Sequence, residues 1–280
     1  MKSIVTILVL LIFGSIPQAQ TMFEFQVMSS KESYLLGETI DIGMYVKNNA
    51  HPSLPDDIKF EITVKLIDQL GQQLRYNRYH SIDGFTPSFK KLKSEGEWFY
   101  IIELNTYFGT PRHLDQESII NLGKYRAELT FTSSISSEQT IVVNFKVVEP
   151  TENEKIVFES FSQAYIDLIH QKYDSNTLIK YLESLLTDNK NSVYAPQILI
   201  SLELRYMYKL EDNKKAQETR TTLLQTYPWS SKSFFLIDLV LNEMSSSTER
   251  IEFLSKIKSK SQGSLMHRII EKRLIQEINK

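Results

Sequence analysis

The hydrophobic period of this chain changes once, near Pro150, and that switch constrains the fold more than any other feature. Before it, apolar residues recur at every second position. Ile40, Ile42, Met44 and Val46 alternate with Asp41, Gly43 and Tyr45. Ile58, Phe60, Ile62, Val64 and Leu66 alternate with Lys59, Glu61, Thr63 and Lys65. Trp98, Tyr100, Ile102 and Leu104 share one side, as do Tyr125, Ala127, Leu129 and Phe131, and Ile141, Val143, Phe145 and Val147. Phe23, Phe25 and Val27 start the series. Successive side chains on a strand point to opposite sides, so each run predicts a strand with one buried face. Turn residues separate the runs: Asn48 to Pro55, Asp68 to Gly71, Asp83-Gly84, Ser94 to Gly96, and Ser133 to Ser137. The Asp68–Gly71 turn is expected to close a hairpin into Gln72–Tyr79. Strands with one-sided burial and no helical segment between them predict an antiparallel sandwich.

After Pro150 the period becomes about 3.6. Seven apolar stripes follow, carried by Val157–Leu168, Leu178–Leu186, Ala195–Leu202, Ala216–Leu224, Phe234–Leu241, Ile251–Ile257 and Met266–Leu274. Ser192, Asp212, Ser230, and Ser246 with Glu249 three residues on, read as helix starts. The Phe234–Leu241 stretch is nearly all apolar and is expected to be the most buried. This half also resembles itself. A shift of 38 residues lays Leu185-Leu186 on Leu223-Leu224, Ser192 on Ser230, and Ile198-Leu199 on Leu236-Ile237. Such recurrence marks stacked helix pairs. The expected fold is multidomain: an all-β antiparallel sandwich over residues 21–150, then an all-α helical domain over residues 151–280.

Two resemblances sharpen that expectation. Leu223-Leu224-Gln225-Thr226-Tyr227-Pro228-Trp229-Ser230, with Lys214-Lys215-Ala216, resembles the junctions of tetratricopeptide (TPR) repeats in exported bacterial proteins. The spacing of 38 exceeds the usual period of about 34. Tyr34 to Ile40, Val46-Lys47-Asn48 and Leu122-Gly123-Lys124-Tyr125-Arg126 resemble bacterial immunoglobulin-like modules of the macroglobulin or protease-inhibitor kind. That resemblance implies a tyrosine corner at Tyr125, its hydroxyl bonded back to the backbone.

Residues 1–20 read as a signal peptide. Lys2 supplies the positive start, Ile4 to Phe13 is apolar apart from Thr6, and Gly14 and Pro17 break a helix before Ala19. The apolar stretch is about half of the ~20 residues that span a bilayer, which favours cleavage over an anchor. The chain has no cysteine, which excludes disulfides, thiol nucleophiles and a lipid-anchoring cysteine. With no Asn-x-Ser/Thr sequon, this points to an exported bacterial protein, periplasmic or at the cell surface. A net charge of −2 argues against a nucleic-acid binder, which needs clustered Lys and Arg.

No catalytic or metal signature stands out. His51, His80, His113, His170 and His267 show no metal-ligand spacing. Asp56-Asp57 and Glu95 with Glu97 read as solvated turns. The candidate partner-binding residues are Arg75, Tyr76, Arg78, Tyr79, Phe85 and Phe89, because tyrosine and arginine are enriched at interaction hot spots. Tyr107 and Phe108, before a long loop to Leu122, make a second candidate. The basic run Lys256, Lys258, Lys260, Arg268, Lys272 and Arg273 reads as a solvated face. The leading expectation is a non-enzymatic binding or scaffold protein of the bacterial envelope, without cofactor, recognising a protein or peptide. The alternatives are a protease inhibitor acting through the sandwich, and a hydrolase with a site at the domain junction.

Overall fold

The computed structural model describes residues 23–49, 60–75, 96–109, 119–133, 137–170 and 172–280, so the expected signal peptide lies outside the described residues. The order of elements is β1 (Phe23–Ser29), β2 (Ser33–Leu35), β3 (Asp41–Asn48), β4 (Phe60–Asp68), β5 (Glu97–Glu103), α1 (Leu104–Tyr107), β6 (Gly123–Ser133) and β7 (Gln139–Val148). Then follow α2 (Glu152–Ile169), α3 (Ser175–Asp188), α4 (Ala195–Tyr208), α5 (Asn213–Thr226), a 3-10 turn at Ser231–Ser233, α6 (Ile237–Glu243), α7 (Ser247–Lys260) and α8 (Leu265–Ile278).

The strands form two small sheets. One has three antiparallel strands in the order β1-β3-β5. The other has four, in the order β2-β7-β6-β4, and is mixed because β2 runs parallel to β7. Ile42, Met44 and Val46 of the first sheet and Ile62, Val64, Leu129 and Phe131 of the second share one buried cluster. Phe131 stacks on Phe25 with ring centroids 5.0 Å apart. The outer face of β6 and β7 stays polar, with Lys124, Arg126, Asn144 and Lys146 exposed.

The expected fold class is overturned. Among the described residues the protein is an α/β mix of two small sheets and eight helices, not an immunoglobulin-like all-β sandwich followed by a TPR-like all-α domain. The physical reason lies in β3 and β5. The alternating pattern assigns Asp41, Gly43 and Tyr45 to a solvent face, yet all of Asp41–Val46 is buried. Helix α8 lies on that face. A Cβ at Gly43 would sit 2.9 Å from Leu265 Cδ2, so only glycine lets the helix come this close. Arg268 stands over the Tyr45 ring at 3.7 Å. Ile101 of β5 belongs to the same buried cluster as Leu265, Met266 and Ile270, with Met28 and Phe99 packed against it. Burying side chains such as Ile101 and Leu265 contributes about 1.5–3 kcal/mol each. Helix α1, between β5 and β6, further breaks the all-β expectation.

Local readings fare differently. Seven helices follow Pro150 among the described residues. A 38-residue shift carries α3, Ser175–Asp188, onto α5, Asn213–Thr226. Their N-cap aspartates correspond too: Asp174 accepts from Thr177 N and Asp212 from Lys215 N. The repeat fails just after this. Ser231–Ser233 is a 3-10 turn where the shift would start a long helix, and α6 has only seven residues. Phe235 and Leu239 of that stretch are exposed, contrary to the expectation of deepest burial. Ser246 caps α7 through Glu249 N, while Glu249 answers one residue earlier, at Ser245 N. The Asp68–Gly71 turn is present, with Gly71 at φ +78° and Ile67 bridged to Gln73. Tyr125 Oη donates to Asn121 O at 2.9 Å, the bond implied for that residue.

Candidate functional site

The packing of helices on the three-stranded sheet leaves a pocket at their junction, of about 210 Å³. One wall comes from the chain between β1 and β3: Ser30, Lys31, Glu38, Thr39 and Asp41. The other comes from three turns that each lead into a new helical segment. These are Val193–Gln197 before and into α4, Trp229–Ser231 before the 3-10 turn, and Gln262–Ser264 before α8.

Several cross-bonds hold the two walls together. Tyr194 Oη donates to Leu36 O at 2.7 Å, and Gln197 Nε2 donates to Gly37 O at 3.1 Å and to Thr39 Oγ1 at 2.8 Å. Gly37 has φ +80°, and a Cβ there would lie 2.0 Å from Phe158 Cε2 of α2. The β2–β3 turn can therefore press against α2 only because this residue is glycine. Inside the turn, Asn105 of α1 accepts from Ile40 N at 2.7 Å and donates to Glu38 O at 3.3 Å.

Asp41 is the central charged residue of the pocket. It is only 7% exposed. Its Oδ1 accepts from Ser30 Oγ at 2.5 Å and from Tyr34 Oη at 3.2 Å. Its carboxyl also accepts from its own backbone N–H. Burial holds the Asp41 carboxyl above the usual carboxylate range. Glu103 adds to the rise, and the bonds from Ser30 and Tyr34 oppose it. Tyr34 is raised as well, first by burial and then by the Asp41 charge. Asp41 and Glu103 face each other across the β3–β5 ladder, an arrangement that is unfavourable when both are charged. Lys232 relieves half of it by bonding Glu103 Oε2 at 2.6 Å, while Glu103 Oε1 is buried without a hydrogen-bond partner. Lys31 is paired with Glu38, whose Oε2 accepts from Leu35 N at 2.9 Å. Trp229 forms a partly exposed aromatic wall, set edge-on to Tyr227.

Of the candidate partner-binding residues, Arg75, Tyr107 and Phe108 are described, and none of the three lines the pocket. Arg75 is exposed, beyond the Ile67–Gln73 bridge. Tyr76, Arg78, Tyr79, Phe85 and Phe89 lie outside the described residues, as do His51, His80, His113, Asp56, Asp57 and Glu95. Tyr107 is half-buried on α1. Its hydroxyl is pushed up to about 12 by burial, then by Tyr100 and Glu103. Phe108 is fully buried in the cluster between the sheets. His170 is exposed, and His267 Nδ1 lies 3.2 Å from Ser261 Oγ. No group of three potential metal ligands occurs among the described residues. The basic run does not form a free face. Lys258 pairs with Glu271 at 2.8 Å, Arg273 with Asp238 at 2.6 Å, and Lys272 reaches Glu97 at 3.7 Å. Lys272 and Arg268 thereby fasten α8 to the sheet.

A wider depression of about 690 Å³ lies on the four-stranded sheet, around Lys124, Arg126 and Lys146. It is a shallow surface of exposed strand residues, whereas the junction pocket gathers five separate segments around a buried carboxyl. Sequence reasoning missed the junction pocket. Two of its signals were visible: the helix-start serine Ser230 beside Trp229, and the Tyr34–Ile40 segment. Nothing local connects them.

No protein-family model matches the chain, and no curated protein matches it. Solved structures give only faint likenesses. An alkylpurine DNA glycosylase of Pseudomonas fluorescens, solved with DNA containing an abasic site analog, aligns at 11% identity and TM-score 0.30, over 45% of this chain and 30% of that one. A β-glucosidase from Listeria innocua, solved with isofagomine, aligns at 19% identity and TM-score 0.27, over 45% of this chain and 16% of its own. A DUF4426 family protein from Pseudomonas aeruginosa aligns at 12% identity and TM-score 0.24, over 46% of this chain and 91% of its own. TM-scores this low carry no argument about fold or activity.

Proposed function

We propose that the chain is a non-enzymatic, exported binding protein of the bacterial envelope, and that it receives a segment of a protein or peptide partner in the junction pocket. The observation that carries this reading is how the polar groups of the pocket are used. Lys31 is taken by Glu38, Gln197 by Gly37 and Thr39, and Ser264 Oγ by Ser261 O at 2.6 Å. Ser230 Oγ accepts from Lys232 N at 3.3 Å. These side chains shape a concave, polar surface; they are spent on structure rather than poised to move protons. Among the described residues, no helix is long and apolar enough to cross a membrane.

The test is capture of partners from an envelope extract by the whole exported chain, beside a plugged variant. Gln262 lines the pocket yet is exposed, so Gln262→Trp fills the mouth without disturbing the core. A partner held by the natural chain and lost by the plugged one supports the reading. Equal capture by both, or capture by neither, removes it.

A further inference from the structure

We propose that the junction pocket takes a primary ammonium group, with the Asp41 carboxylate as its anionic acceptor and Trp229 as its aromatic wall; this rests on the pocket being the binding site. The reasoning is a charge count over the pocket and the Lys232–Glu103 pair beside it. Lys31 pairs with Glu38 and Lys232 with Glu103. Asp41 is paired with no cation among the described residues; its carboxyl accepts from the hydroxyls of Ser30 and Tyr34 and from its own backbone N–H. The five charged groups therefore hold one negative charge in excess when Asp41 is ionised, and that charge is nine-tenths buried beside Glu103. Charge buried without a counter-ion is unfavourable, and a cation that hydrogen-bonds to it recovers much of the loss.

The other ligand classes fit less well. An anion would meet the excess charge of Asp41, and the one lysine that lines the pocket is already paired. The starts of α4 and α8 favour anions, but this effect fades within one turn and is weaker than a charge-assisted bond to a buried carboxylate. A neutral ligand leaves the charge uncompensated. An ammonium presents three donors and no acceptor, which suits a lining that includes the Asp41 carboxylate, the Ser30 hydroxyl and the Gln262 amide. The aromatic face of Trp229 adds attraction for a cation. A volume of about 210 Å³ admits an ammonium with roughly one residue of chain. The group can come from a peptide N-terminus or from a lysine side chain.

Three small probes separate these sources: L-alanyl-L-alanine amide, its N-acetyl derivative, and N-acetyl-L-lysine amide. Each is titrated into the ¹⁵N-labelled whole chain while the indole N–H of Trp229 is followed by NMR. The chain has two tryptophans, so Trp229→Phe assigns the signal. Saturable shifts are expected with an ammonium-bearing probe. Affinity should fall about tenfold or more for acetylated dialanine amide, and by a similar factor for Asp41→Asn. Asparagine keeps an oxygen for Ser30 and Tyr34, and the acetyl comparison needs no variant if that chain folds poorly. Equal affinity for the acetylated dipeptide, or unchanged affinity in Asp41→Asn, overturns the proposal. Maltotriose is titrated as a fourth, uncharged probe; a shift of Trp229 by it but by neither ammonium probe also overturns the proposal, while leaving the pocket as the binding site. No shift from any probe, together with equal capture by the Gln262→Trp chain, removes both.

Discussion

Gly37→Ala tests whether the turn between β2 and β3 is pressed against α2 as described. Two separate costs are expected. At φ +80° an alanine pays about 1–2 kcal/mol for left-handed backbone. Its methyl would also lie 2.0 Å from Phe158 Cε2 and 2.6 Å from Cδ2, so the ring must move. Phe158 cannot move freely, because it packs on Tyr194 with centroids 5.5 Å apart, and Tyr194 bonds Leu36 O. Overpacking of this kind costs about 1–3 kcal/mol. The sum is about 2–5 kcal/mol. Gly71→Ala is the control: its φ is +78°, and a Cβ there meets nothing within 4 Å. It carries the backbone cost alone. Urea denaturation of both variants should show a lower midpoint at constant slope, with Gly37→Ala shifted further by about 1–3 kcal/mol. Phe158→Leu in the Gly37→Ala background should return part of that excess, with a coupling of about 0.5–3 kcal/mol. If Gly37→Ala costs no more than Gly71→Ala, the close contact between sheet turn and helix is wrong.

Three more outcomes follow from the junction. Lys232→Met should destabilise the chain by about 3–5 kcal/mol, since it strips the cation from a carboxylate that is 11% exposed and already has one unbonded oxygen; a loss below about 1 kcal/mol in denaturant unfolding would mean the pair is solvated. Asp41→Asn should gain stability relative to the natural chain as pH rises above the unfolded carboxyl's value of about 3.9. Because the folded carboxyl is raised, its favourable contribution is present below the unfolded value of about 3.9 and is lost as pH climbs through the folded one. A pH-independent difference in melting between the two chains would refute the direction. Gly43→Val should weaken the seating of α8 by about 1–3 kcal/mol, since a Cβ there lies 2.9 Å from Leu265 Cδ2, 3.1 Å from Phe99 Cζ and 3.3 Å from Met28 Cγ; faster amide exchange in α8 than in β6 is the readout.

How far the site could be read in advance depends on distance along the chain. Asp174 and Asp212 cap their helices through residues three positions away, and Tyr125 anchors to a carbonyl four residues back. Such bonds follow from neighbouring residue types. Asp41, by contrast, looks like one more polar position of an alternating strand. Its partner across the ladder is Glu103, and the residue that balances Glu103 is Lys232, more than a hundred positions further on. Trp229 and Gln262 reach the same pocket only after three helical turns have been brought to one side of the sheet. One warning was present: Trp98-Phe99-Tyr100-Ile101-Ile102 is an unbroken apolar run, the mark of a strand buried on both faces rather than one.

The sequence by itself determined the change from strands to helices near Pro150 and several turns and caps, because periods of two and 3.6, glycine turns and capping side chains act over a few residues. It also determined the 38-residue echo between α3 and α5. Tertiary structure alone decided that helix α8 covers the outer face of the three-stranded sheet, so that the fold is an α/β mix. That choice depends on shape, on Gly43 opening room for Leu265 and Gly37 for Phe158, and on the apolar area removed from water when distant faces meet. Hydrophobic attraction has no direction, so a pattern that says which side chains are buried does not say against what.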